Sequence, residues 1–182
     1  MLLIFGLGNI GKEYENTYHN IGFKCLNAFL DKQYLKLNKT KYNGSFVETI
    51  MHGEKVVFIE PTTYMNNSGN CVLNFMNKFK VDAENILVIY DDYDLPIGEV
   101  RFRNSGSSGT HNGMRDIVEK IKTENFKRLR VGIKDPQLNI PLINYVLSKI
   151  IKKEEFEKVF VKTNEFIENF IIKKGKLENT TI

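Results

Sequence analysis

Cysteine occurs only twice in the 182 residues, and no hydrophobic run approaches the length needed to cross a membrane. Cys25 and Cys71 stand far apart, with neither CxxC nor metal-cluster spacing, so both are expected to be buried thiols packed as small hydrophobes. The opening run Met1-Leu2-Leu3-Ile4-Phe5 is too short for a signal-peptide core or a span and is interrupted by Gly6, which points to the cytoplasm and no membrane partner. Repeats, low-complexity tracts and linkers are lacking too, so residues 1–182 are expected to form a single domain with one sizeable core. A composition of 42% hydrophobic and 26% charged residues excludes disorder and fibrous repeats. Charge of one sign is also scarce: a net +4 is too mild to declare a nucleic-acid partner.

What is present is patterned. Residues 2–5, 56–59 and 86–90 are short apolar runs that predict buried strands of an α/β sheet, with a further strand over 46–50. Helical spacing of Ile21, Cys25, Leu26, Phe29 and Leu30 predicts a helix over 21–34. A second helix carries Val72, Phe75, Met76 and Phe79, with Ser68 as its expected N-cap. Residues 98–103 alternate so that Val100 and Phe102 share one face and Arg101 and Arg103 the other. Beyond them the pattern gives a helix over 112–122, a strand through Leu129, Val131 and Ile133, and a closing helix carrying Phe156 to Ile171. The apolar-free segment 104–110 predicts a flexible loop, and the tail 175–182 is expected to fray.

Charge distribution says more than its total. Residues 101–134 hold nine basic side chains against three acidic ones, a purchase for a polyanion, although a solvated helix face explains the same count. Gly6-Leu7-Gly8-Asn9-Ile10-Gly11 follows the first strand and matches GxGxxG, which raises a dinucleotide-binding oxidoreductase. That fingerprint needs a helix opening within the glycines. Asn16, Thr17, Tyr18, His19 and Asn20 are poor helix formers together, so the helix begins a whole loop too late, and no acidic residue closes a second strand about 20 residues on.

The same loop places Asn9, Tyr14, His19 and Asn20 beyond the C-terminal end of a buried strand, where α/β folds build their sites. Asp91, Asp92 and Asp94, read as lying just past the third apolar strand, offer a carboxylate that could fix the tautomer of His19. They could equally bind Mg²⁺ or cap a turn toward Pro96. Asn66 and Asn112 open helices, where an amide can donate to an oxyanion and accept from a peptide N–H, or merely cap.

GLGNIGKEYENTYHNIGF, PTTYMNNSG, YDDYDLPIGEVRFR and SGTHNGMRDI together resemble, in order and spacing, the signature segments of bacterial-type peptidyl-tRNA hydrolases, with similarity running from Leu3 to about Ile133. The resemblance implies a monomeric three-layer α/β sandwich with a central twisted mixed sheet and helices on both sides. It implies a cofactor-free, metal-free esterase acting on N-blocked aminoacyl-tRNA. By motif position His19 would be the base and Asp91 its orienting carboxylate. Asn9, Asn66 and Asn112 would hold peptide and water, Tyr14, Tyr64 and Met65 would line the cleft, and Arg101, Arg103 and Arg130 would hold the tRNA's terminal phosphate and acceptor stem. Ile10, Tyr18, Tyr90, Ser107, Ser108 and Thr110 depart from the usual residues, which bears on loop mobility and the shape of the tRNA surface. A non-catalytic RNA-binding relative is the alternative from another class, followed by the oxidoreductase.

Overall fold

Apolar side chains alternate along the central strands, and the computed structural model, which describes residues 1–182, buries both resulting faces of one eight-stranded sheet. The strands are β1 (Leu2–Gly6), β2 (Lys39–Lys41), β3 (Gly44–Met51), β4 (Glu54–Pro61), β5 (Ile86–Pro96), β6 (Val100–Arg103), β7 (Lys127–Lys134) and β8 (Thr180–Thr181). Their order is β2-β3-β4-β1-β5-β7-β6-β8. β4, β1, β5 and β7 run parallel at the centre, and antiparallel pairs flank them.

Leu2, Ile4, Phe58, Leu87 and Ile89 face α1 (Ile21–Lys32) and α5 (Lys153–Ile172). Leu3, Phe5, Ile59, Ile86 and Val88 face α2 (Ser68–Phe79) and α3 (Asn112–Ile121). Such double-sided burial is why the central strands read as continuous apolar runs, and each fully buried large side chain contributes about 1.5–3 kcal/mol. The short α4 (Leu142–Val146), absent from the sequence reading, is anchored by Tyr145, whose hydroxyl accepts from the Asp135 amide at 2.7 Å and donates to the Ile133 carbonyl. Both cysteines are buried as expected, and burial pushes the Cys25 thiol up to about 12.

Four expectations need correction. The acidic segment is not past the strand: β5 continues through it, pairing Asp91 with Val131 and Asp92 with Gly132 before a bulge toward Pro96. Backbone pairing with β7 carries the strand beyond its apolar pattern. Ser68 does not cap α2 but is its first residue, its Oγ donating back to the Met65 carbonyl at 2.7 Å. The tail does not fray, because residues 180–181 pair with β6 as β8. The first helix ends at Lys32, before Tyr34 takes a left-handed φ of 56°.

The glycine motif serves packing: a Cβ on Gly6 would fall 2.5 Å from the Gly22 carbonyl oxygen, and one on Gly8 would fall 2.7 Å from the Phe23 ring. The helix opens at Ile21, well beyond the glycines, and its first-turn amide at Phe23 is already taken by the Leu7 carbonyl at 3.1 Å instead of being left for a pyrophosphate. Gly22, in the first turn of α1, sits against the strand ends: a Cβ there would land on the Ile89 carbonyl oxygen and 2.6 Å from the Leu7 amide nitrogen. This contact seats α1, and hence His19 just before it, against β5 beside Asp91. Because the obstructing atoms are backbone, Gly22→Ala should destabilise the fold by about 1–3 kcal/mol. Urea unfolding midpoints would measure the loss; a variant as stable as the parent would show that α1 shifts freely on the sheet.

Candidate active site

Three separate elements deliver their polar ends to one point. His19 lies in a 3-10 turn (Tyr18–Asn20) leading into α1, Asp91 on β5, and His111 at the N-cap of α3. His19 Nδ1 is 2.8 Å from Asp91 Oδ2, and His111 Nε2 is 2.8 Å from Asp91 Oδ1. Asp91 is 1% exposed. Burial alone would raise its pKa, but the two imidazoles and their hydrogen bonds hold it well below the usual carboxylate range. As an ionised carboxylate only accepts, both imidazole nitrogens facing it carry protons.

The tautomers follow. His111 Nδ1 accepts the Met114 amide N–H at 3.1 Å, so its proton is on Nε2. His19 has its proton on Nδ1, leaving Nε2, to which no protein group bonds, for the cavity it lines. Burial works to lower the pKa of His19, yet the charge of Asp91 and its hydrogen bond outweigh burial and the net shift is upward. His111 was not singled out from the sequence. Its neighbour Asn112 was, and the signal available was a histidine at the start of a helix, in capping position.

The cavity measures about 860 Å³ and brings together Asn9, Tyr14, His19, Tyr64, Met65, Asn66, Asp91, Arg103, Asn112 and Arg130. Arg101 does not line it: its guanidinium pairs with Glu99, and it stands opposite Arg130 in the β6–β7 ladder. Asn9 is buried and heavily used. Its amide and carbonyl bond the Asn20 side chain at 2.8 and 2.9 Å, and its Oδ1 accepts from the Met65 amide at 2.7 Å, leaving Nδ2 as its unspent donor. Asn66 and Asn112 are exposed, and neither caps a helix: Asn67 and His111 occupy the cap positions. Tyr14 and Tyr64 pack edge to face, 6.4 Å apart, on one wall. Leu142, Ile143, Val146 and Leu147, of α4 and just beyond it, form an apolar wall that the sequence did not reveal.

Arg128 is almost fully buried, stacked on Phe126 and donating to the Glu124 carbonyl at 2.8 Å and the Ser107 carbonyl at 3.3 Å, so it tethers the 104–110 loop. Arg130 Nε donates to Asp92 Oδ2 at 2.7 Å, while Asp92 Oδ1 takes the Asp94 amide. Tyr18 is fully buried between Tyr145 and Phe156, so this departure touches the interior and not a phosphate-binding surface. The Tyr90 ring packs edge-on against His111, and burial pushes its hydroxyl up to about 12, so it stays neutral.

A family model described as peptidyl-tRNA hydrolase matches residues 3–181. The chain belongs to the peptidyl-tRNA hydrolase family. It is 44% identical over 173 residues to the peptidyl-tRNA hydrolase of Staphylococcus epidermidis, covering 94% of this chain and 91% of that protein. It is 46% identical over 154 residues to the one from Clostridium botulinum, covering 85% and 80%. Among solved structures, an Arg119Gln mutant of peptidyl-tRNA hydrolase from Acinetobacter baumannii superposes with a TM-score of 0.87 at 33% identity, over 96% of this chain and 89% of that one. Another crystal structure of that enzyme gives 0.82, covering 96% and 92%.

In this family member the donors of His19, Asp91 and His111 lie within 4.8 Å of one another, a spacing a metal ion could bridge. The hydrogen bonds do not fit one. A metal on His111 Nε2 would require the remaining proton on Nδ1, where the Met114 N–H already points. Nor do the aspartates form a Mg²⁺ site, because Asp91 is spent on two imidazoles and Asp92 on Arg130 and the Asp94 amide.

The charge of Asp91 is what raises His19. In Asp91→Asn only burial remains, and the His19 pKa should fall below its ordinary value of 6.5. The same sign governs stability: the pair's contribution through His19 is complete below the unfolded histidine pKa and lost as pH rises through the folded one. Imidazole NMR titration of parent and variant would test this, and an unchanged or higher value in Asp91→Asn would refute the assignment.

Proposed function

We propose that the chain hydrolyses the ester joining an N-blocked peptide to tRNA, with water activated by His19 and oriented by Asp91, without cofactor. Family membership makes it an esterase of peptidyl-tRNA. One observation carries the mechanism: His19 Nδ1 is held by a buried carboxylate while Nε2 opens onto a cavity large enough for an aminoacyl ester. In the proposed step His19 Nε2 takes a proton from water as its oxygen attacks the ester carbonyl. The tetrahedral intermediate then expels the ribose oxygen, which receives that proton from the imidazolium. The products are the peptide acid and tRNA with a free terminal hydroxyl. An alkoxide leaves more readily than an amine, so no covalent nucleophile is needed. General-base assistance contributes about 10²–10⁴-fold. One well-placed oxyanion donor adds about 10²–10³-fold. Unspent amides at Asn9, Asn66 and Asn112 are suited to that donor role and to the peptide backbone. Tyr14, Tyr64 and Met65 would shape the cleft.

Selectivity for a blocked amine follows from the charge layout. The cavity's buried carboxylates are engaged by imidazoles and Arg130, so an unblocked α-ammonium would meet Arg103, Arg128 and Arg130 with no unspent buried carboxylate to pair with. Arg103 and Arg130, with Arg101 behind them, would hold tRNA phosphate. Arg103 carries the mark of a crowded cation: desolvation first, then repulsion from Arg101 and Arg130, lowers its pKa, which an incoming phosphate would relieve. We take the enzyme to act as a single-domain monomer in the cytoplasm. No helix is long and apolar enough to cross a membrane. A non-catalytic RNA-binding relative is disfavoured by the assembled His19–Asp91 pair.

Incubation with N-acetyl-aminoacyl-tRNA, the unblocked aminoacyl-tRNA and added chelator tests reaction, selectivity and metal independence together. His19→Ala should lose about 10²-fold or more in kcat. Near-normal turnover by that folded variant would end the mechanism. Arg103→Ala should weaken tRNA substrate binding and flatten its logarithmic salt dependence by about one unit or slightly less, while hydrolysis of a short ester lacking the tRNA body barely changes. Equal losses on both substrates would mean that Arg103 shapes the active site instead.

A further inference from the structure

The C-terminal residues form the outermost strand, and their contacts fall on the phosphate side of the site. Val100 and Ile182 exchange backbone hydrogen bonds at 2.9 and 2.8 Å, and Thr181 pairs with Arg101. The tail is anchored upstream, where Gly175 packs near Leu2 and Phe170 and Leu177 packs against the core. Its side-chain contacts converge on two neighbours. Asn179 Oδ1 accepts from both the backbone and side-chain nitrogens of Asn104, at 2.9 and 3.2 Å, and Asn104 Nδ2 also donates to the Leu177 carbonyl at 2.9 Å. Arg103 Nη1 donates to the Thr180 carbonyl at 3.1 Å and to the Phe102 carbonyl at 2.7 Å.

Arg103 is the last residue of β6, and Asn104 opens the loop that crosses the cavity as far as Thr110. Loop 104–110 is held further along by the Gly106 amide donating to the Glu124 carbonyl at 3.4 Å and by the Arg128–Ser107 contact. Without the tail, one end of the loop and the direction of the Arg103 guanidinium would rest on β6 alone. A long cation ordered before binding loses less side-chain entropy on meeting a phosphate, so such ordering appears as affinity and not as chemistry.

We propose that the C-terminal strand is a positioning element for tRNA: through Asn179 and the Thr180 carbonyl it orders Asn104 and Arg103 and so sets affinity for the nucleic-acid part of the substrate. The proposal rests on the reading of Arg103 as a phosphate contact. Asn179 is a positioning residue that acts through its acceptor oxygen, and it does not reach the hydrolytic centre.

The test compares Asn179→Ala, Asn179→Asp, a chain lacking residues 179–182, and Arg103→Ala. Substrates are N-acetyl-aminoacyl-tRNA and a short N-acetyl-aminoacyl ester without the tRNA body, with hydrogen exchange followed at the Asn104 amide. Asn179→Ala and the truncation should raise KM for the tRNA substrate about three- to tenfold, the worth of one or two net hydrogen bonds, with kcat within about twofold and the short ester unaffected. Exchange at Asn104 should quicken in Asn179→Ala and slow again in Asn179→Asp, which keeps the acceptor. Should the truncated chain fail to fold, the point variants carry the same comparison. Equal loss on both substrates, or an unchanged KM despite faster exchange, would overturn the proposal. If Arg103→Ala raises KM while Asn179→Ala does not, the tail alone is misread; if Arg103→Ala leaves KM unchanged, the phosphate reading falls and the tail's role with it.

Discussion

A buried carboxylate shared by two imidazoles is the constraint around which the site is arranged. Asp91 is 1% exposed on a central parallel strand, where an unpaired charge would be prohibitive. Each of its oxygens therefore needs a donor, and hydrogen bonds to a charged group are worth about 1.5–3 kcal/mol apiece. One donor comes from the turn before α1, the other from the cap of α3, on opposite faces of the sheet. The requirement ties the two outer layers together at the middle of β5. It also explains why β5 continues through an acidic segment: backbone pairing with β7 fixes Asp91 in place before its side chain meets the histidines.

The second histidine alters the first. His111 is locked in one tautomer by the Met114 amide and cannot turn away from Asp91 without leaving a helix N–H unpaired. The carboxylate is thereby held in a fixed plane against His19 Nδ1, where burial lowers the His19 pKa and the charge and hydrogen bond of Asp91 raise it. In the proposed mechanism that balance matters, because a base pulled too high would stay protonated at neutral pH and one left to burial alone would be too weak. Tyr90, neutral and packed edge-on against His111, adds no charge beside the pair.

How much of this was legible depended on whether a feature lives in one segment or between segments. Strands β1 and β4 and the start of β5 were legible, as were helices α1, α2, α3 and α5, because each is buried along its own periodic stripe. β8 was not, since Thr180 and Thr181 are exposed and owe their conformation to the edge of β6. α4 was missed for a similar reason: it is fixed by one residue, Tyr145, reaching backbone groups in and just after β7. His19 and Asp91 could be named through motif resemblance, but the contact between them spans 72 positions, and no local pattern fixes it. His111 was hidden by a capping position that accounts for a polar residue without any chemistry. Arg101 shows the converse limit. Alternation correctly put it on the same face as Arg103, yet Glu99 holds its guanidinium while Arg103 reaches the cavity.

The layout separates two tasks that binding energy must serve differently. The parallel centre of the sheet ends in hydrogen-bonded imidazoles and amides, where small displacements would spoil alignment, and it is the most deeply packed part of the molecule. The antiparallel flank where β7 meets β6 and β8 carries the cations and ends in the exposed strand β8 and a glycine-serine loop. Phosphate attraction falls slowly with distance, whereas proton transfer does not, so ordering of the flank bears on affinity and alignment at the centre bears on chemistry. Energy gained on the flank can therefore hold a large polyanion while the ester is positioned by the rigid centre, which is how contacts remote from the reacting bond lower its barrier. On the proposed reading a chain with only a mild net charge suffices for this, since Arg103 and Arg130 both line the cavity on that one flank.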